Sequence, residues 1–160
     1  MLSLQSDSAG GTEDIGRRLA GYLRPGMCVY LQGELGAGKT TLVRGILRGL
    51  GHNGPVRSPT YTLVEPYDPK AMPVCHFDLY RLADAAELET LGMRDYLDDR
   101  NLCLVEWPER AATGLRAADL TLHLAGGDDR RTITLAAGSP SGAGALGEFG
   151  RSLAAAPNRG

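Results

Sequence analysis

The sequence predicts an α/β protein with a central mixed sheet, flanked by helices and ending in an antiparallel hairpin. Short apolar runs at 27–32 and 102–107 have the length and composition of buried strands. Apolar residues recur at helical spacing over 40–50, directly after the first of these runs. Two alternating segments, 119–125 and 131–136, are separated by Gly-Gly-Asp-Asp, which is typical of a hairpin.

The N-terminal part of the chain predicts a loose segment followed by one helix. Residues 1–11 are polar and rich in Gly and Ser, so we expect them to be loosely ordered. Thr12 is the expected helix cap, because the acidic residues Glu13 and Asp14 follow it. Pro25-Gly26 is expected to end this helix.

The middle of the chain predicts two extended segments and a helical region. The segments 60–67 and 74–80 are expected to be extended, after a turn at Asn53-Gly54-Pro55. A helix is predicted over 84–91, since Asp84 and Glu87 resemble a capping box. Residues 93–99 are expected to add a helical turn or two.

The length of 160 residues favours a single domain, which we assign to residues 1–137. Residues 138–160 are dominated by small residues and are predicted to form a Gly/Ala-rich tail. Leu146, Phe149 and Leu153 can form one side of a short helix, followed by disorder.

Composition and charge exclude several classes of protein. With 17 basic against 19 acidic residues, the net charge of −2 argues against capture of nucleic acid or membrane by bulk charge. No signal peptide and no apolar stretch of about 20 residues is visible, so a cytoplasmic location is expected. Cys28, Cys75 and Cys103 lie in apolar runs without ligand-like spacing and are expected to be buried free thiols.

Residues 33–40 match the phosphate-loop pattern G-x-x-x-x-G-K-[ST] without a mismatch. Glycines let backbone N–H groups surround phosphates, Lys39 reaches the β- and γ-phosphates, and the Thr40 hydroxyl can bind Mg²⁺. From the chain's own residue frequencies, about 0.004 accidental matches are expected. The strand before and the helix after the loop are the required context. The sequence therefore predicts nucleotide binding on a P-loop NTPase-like sandwich.

The nucleotide is expected to be ATP, because the guanine-reading sequence Asn/Thr-Lys-x-Asp does not occur. Asp78 and Glu106 end apolar strands, where carboxylates bind Mg²⁺ or position water. Spacing alone does not say which residue does which. Ser58-Pro59-Thr60-Tyr61 is either a segment that senses the γ-phosphate or an ordinary proline turn.

Four motifs occur in order along the chain: GELGAGKTT at 33–41, SPTYTLV at 58–64, HFDLYRL at 76–82 and VEWPER at 105–110. Together they resemble the TsaE family, formerly YjeE, the bacterial P-loop ATPases of the tRNA threonylcarbamoyladenosine pathway. The similarity extends from about residue 12 to residue 136.

The resemblance implies a function that the spacing of the motifs alone does not indicate. Members of this family use ATP and Mg²⁺ to assist the TsaB–TsaD complex, which transfers a threonylcarbamoyl group to an adenosine beside the tRNA anticodon. The partners of this chain would be TsaB and TsaD, with tRNA reached through that complex. We expect slow ATP hydrolysis by the isolated chain and stimulation by its partners.

The resemblance also implies roles for individual residues. Thr40 and Glu106 would hold Mg²⁺, while Asp78 would lie by the γ-phosphate and orient the attacking water, with Lys39 as the second catalytic residue. Asp78 is also a candidate metal ligand. The loop residues that would bind the nucleotide are Glu34, Leu35, Gly36, Ala37, Gly38, Lys39, Thr40 and Thr41.

Three further parts of the nucleotide site follow from the resemblance. Trp107 would pack beside the nucleotide. The segment from Ala9 to Thr12 and a basic residue opening the last hairpin strand would lie near it. Arg131 is assigned this second role, with Arg130 as the competing residue.

Some alternatives remain open at the level of sequence. A small-molecule kinase would share the phosphate loop but have an acceptor pocket and an arginine-bearing lid. A nucleotide-gated assembly module would use hydrolysis only to reset a complex. An arginine acting on the γ-phosphate could be Arg57 or Arg81, or come from a partner.

Overall fold

The structure is a computed structural model that describes residues 1–90, 92–111, 115–127 and 130–155. Strands and helices alternate through most of the chain, as the sequence predicts. The elements are β1 (Leu2–Ser6), α1 (Ala9–Ala20), β2 (Cys28–Gln32), α2 (Lys39–Gly49), β3 (Val64–Tyr67), β4 (Val74–Asp78), α3 (Ala86–Thr90), α4 (Met93–Tyr96), β5 (Leu102–Glu106), a 3-10 turn (Pro108–Ala111), β6 (Leu120–Gly126), β7 (Arg131–Ala137) and α5 (Pro140–Ala155).

The described strands form one mixed sheet in the order β1-β7-β6-β2-β5-β4-β3. The central strands β6, β2, β5 and β4 run parallel to one another. β7 and β1 add antiparallel pairs at one edge, and β3 adds one at the other. The predicted mixed sheet and the predicted hairpin, β6–β7, are confirmed. Two residues of its predicted turn, 128–129, lie outside the described residues.

Helices cover both faces of the sheet. Buried residues of α1, α2 and α5 form one apolar cluster with one face, including Ile46, Leu104 and Phe149. α3, α4 and the 3-10 turn pack on the other face around Phe77 and Val105. The three cysteines are buried and free, as predicted. None of the described helices is long and apolar enough to cross a membrane.

The helix after the phosphate loop is held tightly against α1. A Cβ atom on Gly45 would lie 2.0 Å from the carbonyl oxygen of Glu13, so only glycine permits this approach of the two backbones. The buried side chains Leu42 and Ile46 fix the inner face of α2 against the core. The N-terminus of α2 is therefore a rigid platform.

The N-terminal segment differs from its prediction. Residues 2–6 form β1, which pairs with β7 from Leu2↔Leu135 to Ser6↔Arg131. Leu2 and Leu4 alternate with polar residues and pack on the core. The backbone of this segment pairs with the edge of β7 that would otherwise be open. The expected loose order over 1–11 is wrong here because a partner distant in sequence supplies the backbone hydrogen bonds.

The start of α1 also lies earlier than predicted. Ser8, not Thr12, is the N-cap, and its hydroxyl accepts a hydrogen bond from the Gly11 N–H at 3.0 Å. Thr12 is buried inside the helix, and its hydroxyl shares a 2.9 Å hydrogen bond with that of Ser6.

The C-terminal segment contains a longer helix than predicted. α5 has 16 residues, and Phe149 is fully buried with its ring 5.5 Å from that of Tyr22. This contact anchors the Gly/Ala-rich segment to the core. The predicted disorder of the last residues falls on 156–160, outside the described residues.

Candidate functional site

A cleft of about 570 Å³ lies at the carboxyl ends of β2, β4 and β5, and we call it the main cleft. Parallel strands end on the same edge of a sheet, so residues far apart in sequence meet there. The lining residues are Leu35, Gly36, Gly38, Lys39, Thr40, Thr41, Ser58, Thr60, Asp78, Tyr80, Arg81, Glu106, Trp107 and Arg131.

The phosphate loop turns sharply between β2 and α2. Gly38, with φ of +103°, is the N-cap of α2 and carries no side chain that could cap the helix. Gly33, with φ of +149°, approaches the Leu124 carbonyl so closely that a Cβ atom would lie 2.4 Å from it. The first N–H groups of α2 and the positive end of its dipole therefore face a space suited to an anion.

Lys39 lies folded into the loop. Its Nζ donates to the carbonyl oxygens of Gly33 and of Glu34, the latter at 3.0 Å. The same atom is 4.1 Å from the centre of the Trp107 ring. Burial lowers the pKa of Lys39 below its usual value, and the carboxylate of Glu106 opposes this shift. A phosphate group entering the cleft would compete with the loop carbonyls for this ammonium.

Glu106 ends β5 and is almost completely buried. The Thr40 hydroxyl donates toward Oε1 and Oε2 at 3.3 and 3.2 Å. Oε2 is also 2.6 Å from Nε2 of His76, which is buried on the neighbouring strand. The carboxylate is thus connected to the first turn of α2, where the phosphate loop ends.

Asp78 ends β4 directly beside Glu106. Its Oδ1 accepts a hydrogen bond from the Tyr80 N–H at 3.1 Å. Its Oδ2 lies 3.4 Å from the hydroxyl oxygens of both Ser58 and Thr60. The segment that the sequence leaves open as a sensor or a proline turn therefore contacts the carboxylate at the main cleft.

An aromatic wall closes one side of the main cleft. Trp107 directly follows β5 and has φ of +57°. This left-handed conformation is rare for a bulky residue. The Trp107 ring lies 5.0 Å from the ring of Tyr80, and the Arg110 guanidinium lies 5.1 Å from Tyr80. Residues held in such a conformation cluster at functional sites.

Arg131 supplies a second cation. It is the first residue of β7, and Nε and Nη1 of its side chain are buried without a hydrogen-bond partner within the described part of the chain. A Cβ atom on Gly38 would lie 3.1 Å from Nη1, so glycine at this position allows the guanidinium to approach the loop. Unpartnered buried donors beside a phosphate loop fit an anionic ligand. Arg131, rather than Arg130, lines the cleft.

Four of the predicted nucleotide-binding residues lie outside the main cleft. Glu34 and Ala37 border a second cleft of about 450 Å³ on the other side of the loop, together with Trp107. Ala9 is exposed at the start of α1, and Thr12 is buried in that helix. Glu34 and Ala37 therefore belong to the loop without lining the main cleft, whereas Ala9 and Thr12 line neither cleft.

His76 and Tyr80 were not identified as site residues from the sequence. His76 lies two positions before Asp78 in β4, and side chains two positions apart in a strand share a face. This alternation was the signal that could have identified His76. Tyr80 follows the end of β4, where its backbone N–H donates to Asp78.

The oxygen donors at the cleft fit Mg²⁺. Thr40 and Glu106 offer a hydroxyl and a carboxylate, with Asp78 alongside, and Mg²⁺ prefers few protein oxygens together with phosphate oxygens and water. Within the described residues, no group of three or more His, Cys, Asp or Glu side chains is arranged as a metal site. The arrangement suits a metal ion shared with a nucleotide.

Comparisons with known proteins identify the family. The family model described as "Threonylcarbamoyl adenosine biosynthesis protein TsaE" matches residues 6–133. The TsaE protein of Haemophilus influenzae is 50% identical over 121 residues, which cover 76% of this chain and 77% of that protein. The TsaE protein of Bacillus subtilis is 39% identical over 127 residues, covering 79% of each chain.

A solved structure has the same fold. The crystal structure of Bacillus subtilis YdiB matches with a TM-score of 0.82 and 30% identity, covering 95% of each chain. This match agrees with the P-loop NTPase-like arrangement of sheet, loop and helices. The chain therefore belongs to the TsaE family of tRNA threonylcarbamoyladenosine biosynthesis proteins.

Proposed function

We propose that this protein binds and hydrolyses ATP in the main cleft, and thereby assists the threonylcarbamoyl modification of tRNA. One observation carries the proposal. The phosphate loop, three cations and two carboxylates converge on one cleft, and one of the cations, Arg131, has buried donors without a partner among the described residues. Such a set matches the triphosphate, metal and water of a P-loop ATPase.

Each group has a distinct task in the proposed reaction. The first N–H groups of α2, Lys39 and Arg131 bind phosphate oxygens and stabilise the charge that develops on them. Asp78 accepts a hydrogen bond from the attacking water, which displaces ADP from the γ-phosphorus and forms inorganic phosphate. Thr40 and Glu106 hold Mg²⁺. The bound Mg²⁺ would neutralise phosphate charge.

Slow hydrolysis by the isolated chain is part of the proposal. Arg81 lines the main cleft, but its guanidinium lies 4.6 Å from the ring centre of the exposed Tyr61. An arginine on the γ-phosphate accelerates phosphoryl transfer by about 10³ to 10⁵-fold in related enzymes. Either Arg81 leaves Tyr61 when a partner binds, or the partner supplies its own arginine.

The family supports the pathway assignment. The relatives from Haemophilus influenzae and Bacillus subtilis are named as tRNA threonylcarbamoyladenosine biosynthesis proteins. We propose that this chain acts with the TsaB–TsaD complex, and that tRNA is reached through those partners. The net charge of −2 favours this indirect route over direct binding of the RNA backbone.

Reconstitution tests the proposal. TsaB, TsaD, the threonylcarbamoyl-adenylate donor and tRNA are combined with or without this chain and ATP, and modified adenosine is measured. We expect repeated turnover only when both the chain and ATP are present. Turnover that is independent of both would overturn the pathway assignment.

Two variants distinguish hydrolysis from gating in the same assay. Lys39→Ala is expected to lose the phosphate contact of the ammonium and to bind ATP too weakly to stimulate modification. Asp78→Ala is expected to keep ATP binding and to support no more than one round of modification. Repeated rounds with Asp78→Ala would show that ATP binding alone drives the cycle.

A further inference from the structure

His76 and Glu106 lie on neighbouring strands, and their side chains share one face of the sheet. β4 and β5 are paired in parallel, with His76 opposite Leu104 and Asp78 opposite Glu106. Side chains alternate along a strand, so His76 shares its face with Asp78, and Leu104 shares its face with Glu106. His76 and Glu106 are therefore diagonal neighbours, within reach of a long side chain.

The bond between these two residues is short and shielded from water. Nε2 of His76 lies 2.6 Å from Oε2 of Glu106, and the exposed fractions of the two side chains are 0% and 3%. Since a carboxylate only accepts hydrogen bonds, Nε2 carries the hydrogen. Hydrogen bonds to charged acceptors are about twice as strong as neutral ones.

The other ring nitrogen, Nδ1, is buried without a hydrogen-bond partner among the described residues. The polar interaction of the ring is thus directed at Glu106. A side chain needed only to fill this part of the core would carry no nitrogen, because an unpartnered buried polar atom is costly. The placement of a histidine here points to a task involving the carboxylate.

The two oxygen atoms of Glu106 differ in their contacts. Oε2 faces both His76 and the Thr40 hydroxyl, whereas Oε1 contacts the Thr40 hydroxyl alone among the described hydrogen bonds. If the Thr40 oxygen turns to a metal ion, the bond from His76 is the one that still orients the carboxylate. Partners behind a metal ligand fix its orientation and raise metal affinity.

We propose that His76 is a positioning residue that holds the Glu106 carboxylate in the orientation required to bind Mg²⁺. This inference rests on the proposed function, since it assumes that Glu106 and Thr40 bind the metal ion with the nucleotide. His76 itself touches neither metal nor nucleotide. Its removal weakens the contribution of Mg²⁺ to nucleotide binding and leaves metal-free binding in place.

Equilibrium binding of a non-hydrolysable ATP analogue tests the proposal. Dissociation constants are measured by calorimetry with Mg²⁺ and with EDTA, and their ratio is the metal coupling. His76→Leu is expected to reduce this coupling by about 10-fold or more, or to abolish it. The dissociation constant in EDTA is expected to stay within about 2-fold of the unmodified protein, because the phosphate loop is intact.

Two further comparisons separate positioning from packing. Phe77→Leu alters a fully buried neighbour on the opposite face of β4 and is the control for general destabilisation. His76→Gln places an amide nitrogen near the position of Nε2, whereas the shorter His76→Asn does not reach it. We expect Gln to retain the metal coupling, Asn to lose it, and Phe77→Leu to leave it unchanged. If the His76→Leu variant does not fold, the comparison of His76→Gln with His76→Asn provides the test.

The failures of the two proposals are distinguishable. Unmodified protein that binds no analogue overturns the proposed function and this inference together. Analogue binding with normal Mg²⁺ coupling in both His76→Leu and His76→Asn overturns the positioning role and leaves the ATP site intact. An equal loss of coupling in Phe77→Leu also overturns it, since the effect would then be one of packing.

Discussion

Asp78 and Glu106 occupy directly opposed positions on the parallel strands β4 and β5, with both side chains buried on the same face of the sheet. Two adjacent carboxylates repel each other, and nearby cations offset this repulsion. The Lys39 ammonium and a bound metal ion are the candidates for this role. This pairing concentrates negative charge beside the phosphate loop, and it explains why the site needs cations.

Asp78→Asn separates binding from hydrolysis. The amide removes one of two opposed charges and replaces one acceptor oxygen with an NH₂ donor, so it orients the attacking water less well. We expect ATP affinity within about 3-fold of normal and hydrolysis reduced by about 100-fold or more, measured by calorimetry and phosphate release with partners present. Asp68→Asn, an exposed control, should change neither. Normal hydrolysis by Asp78→Asn would exclude the assigned role.

Trp107 should report nucleotide binding. It is the only tryptophan in the sequence, and Lys39 Nζ lies 4.1 Å from the centre of its ring. Phosphate binding draws the ammonium away, so tryptophan fluorescence should change on adding ATP. Lys39→Met should weaken ATP binding by about 10- to 100-fold, because a charged hydrogen bond is lost.

The other lysine is the matched control for this measurement. Lys70 is exposed and outside the main cleft, so Lys70→Met should bind ATP normally. Equal affinities for the two variants would contradict the assignment of Lys39 to the phosphates.

Arg131→Met should weaken ATP binding without lowering the free energy of unfolding. Two buried nitrogens of Arg131 have no hydrogen-bond partner among the residues that the structure describes. Their removal should leave the free energy of unfolding unchanged or raise it by about 1 kcal/mol, while ATP binds about 10-fold more weakly. Urea unfolding and calorimetry measure the two quantities. Arg130→Met is the control, and a larger loss of affinity in that variant would reverse the choice between the two arginines.

Asp119 should make stability depend on pH. Burial acts to raise its pKa, but hydrogen bonds from the Ser139 hydroxyl at 2.7 Å and the Cys28 N–H at 2.8 Å outweigh it, and the pKa is lowered. The ionised form therefore stabilises the fold above an unfolded pKa of about 4. This stabilisation is lost as the pH falls through the lower pKa of the folded state.

Asp119→Asn tests this dependence. The variant should be about 1–3 kcal/mol less stable than the unmodified protein at pH 7, with a smaller difference near pH 3. Urea unfolding at both pH values measures the difference. A deficit that is the same at both would show that ionisation of Asp119 does not contribute.

Local patterns predicted much of the fold and site. The phosphate loop, its flanking strand and helix, the β6–β7 hairpin and the strands ending in Asp78 and Glu106 all depend on residues near one another in sequence. Their glycine spacing, apolar runs and periodicity are local properties, so they can be recognised in a single sequence. The role of Ser58 and Thr60 was ambiguous, because a hydroxyl indicates a function only when its hydrogen-bond partner is known.

The remaining features required the tertiary structure. β1 forms because the edge of β7, more than 120 residues away, completes its hydrogen bonds. The contact of His76 with Glu106 depends on the register of two strands that are 30 residues apart. The Arg131 donors, which no described residue pairs with, reach the loop only because β7 places them there. The sequence by itself determined which chemical groups are present and which loop has the phosphate-loop pattern. Strand pairing decided which groups meet, because register and burial are properties of segments distant in the chain.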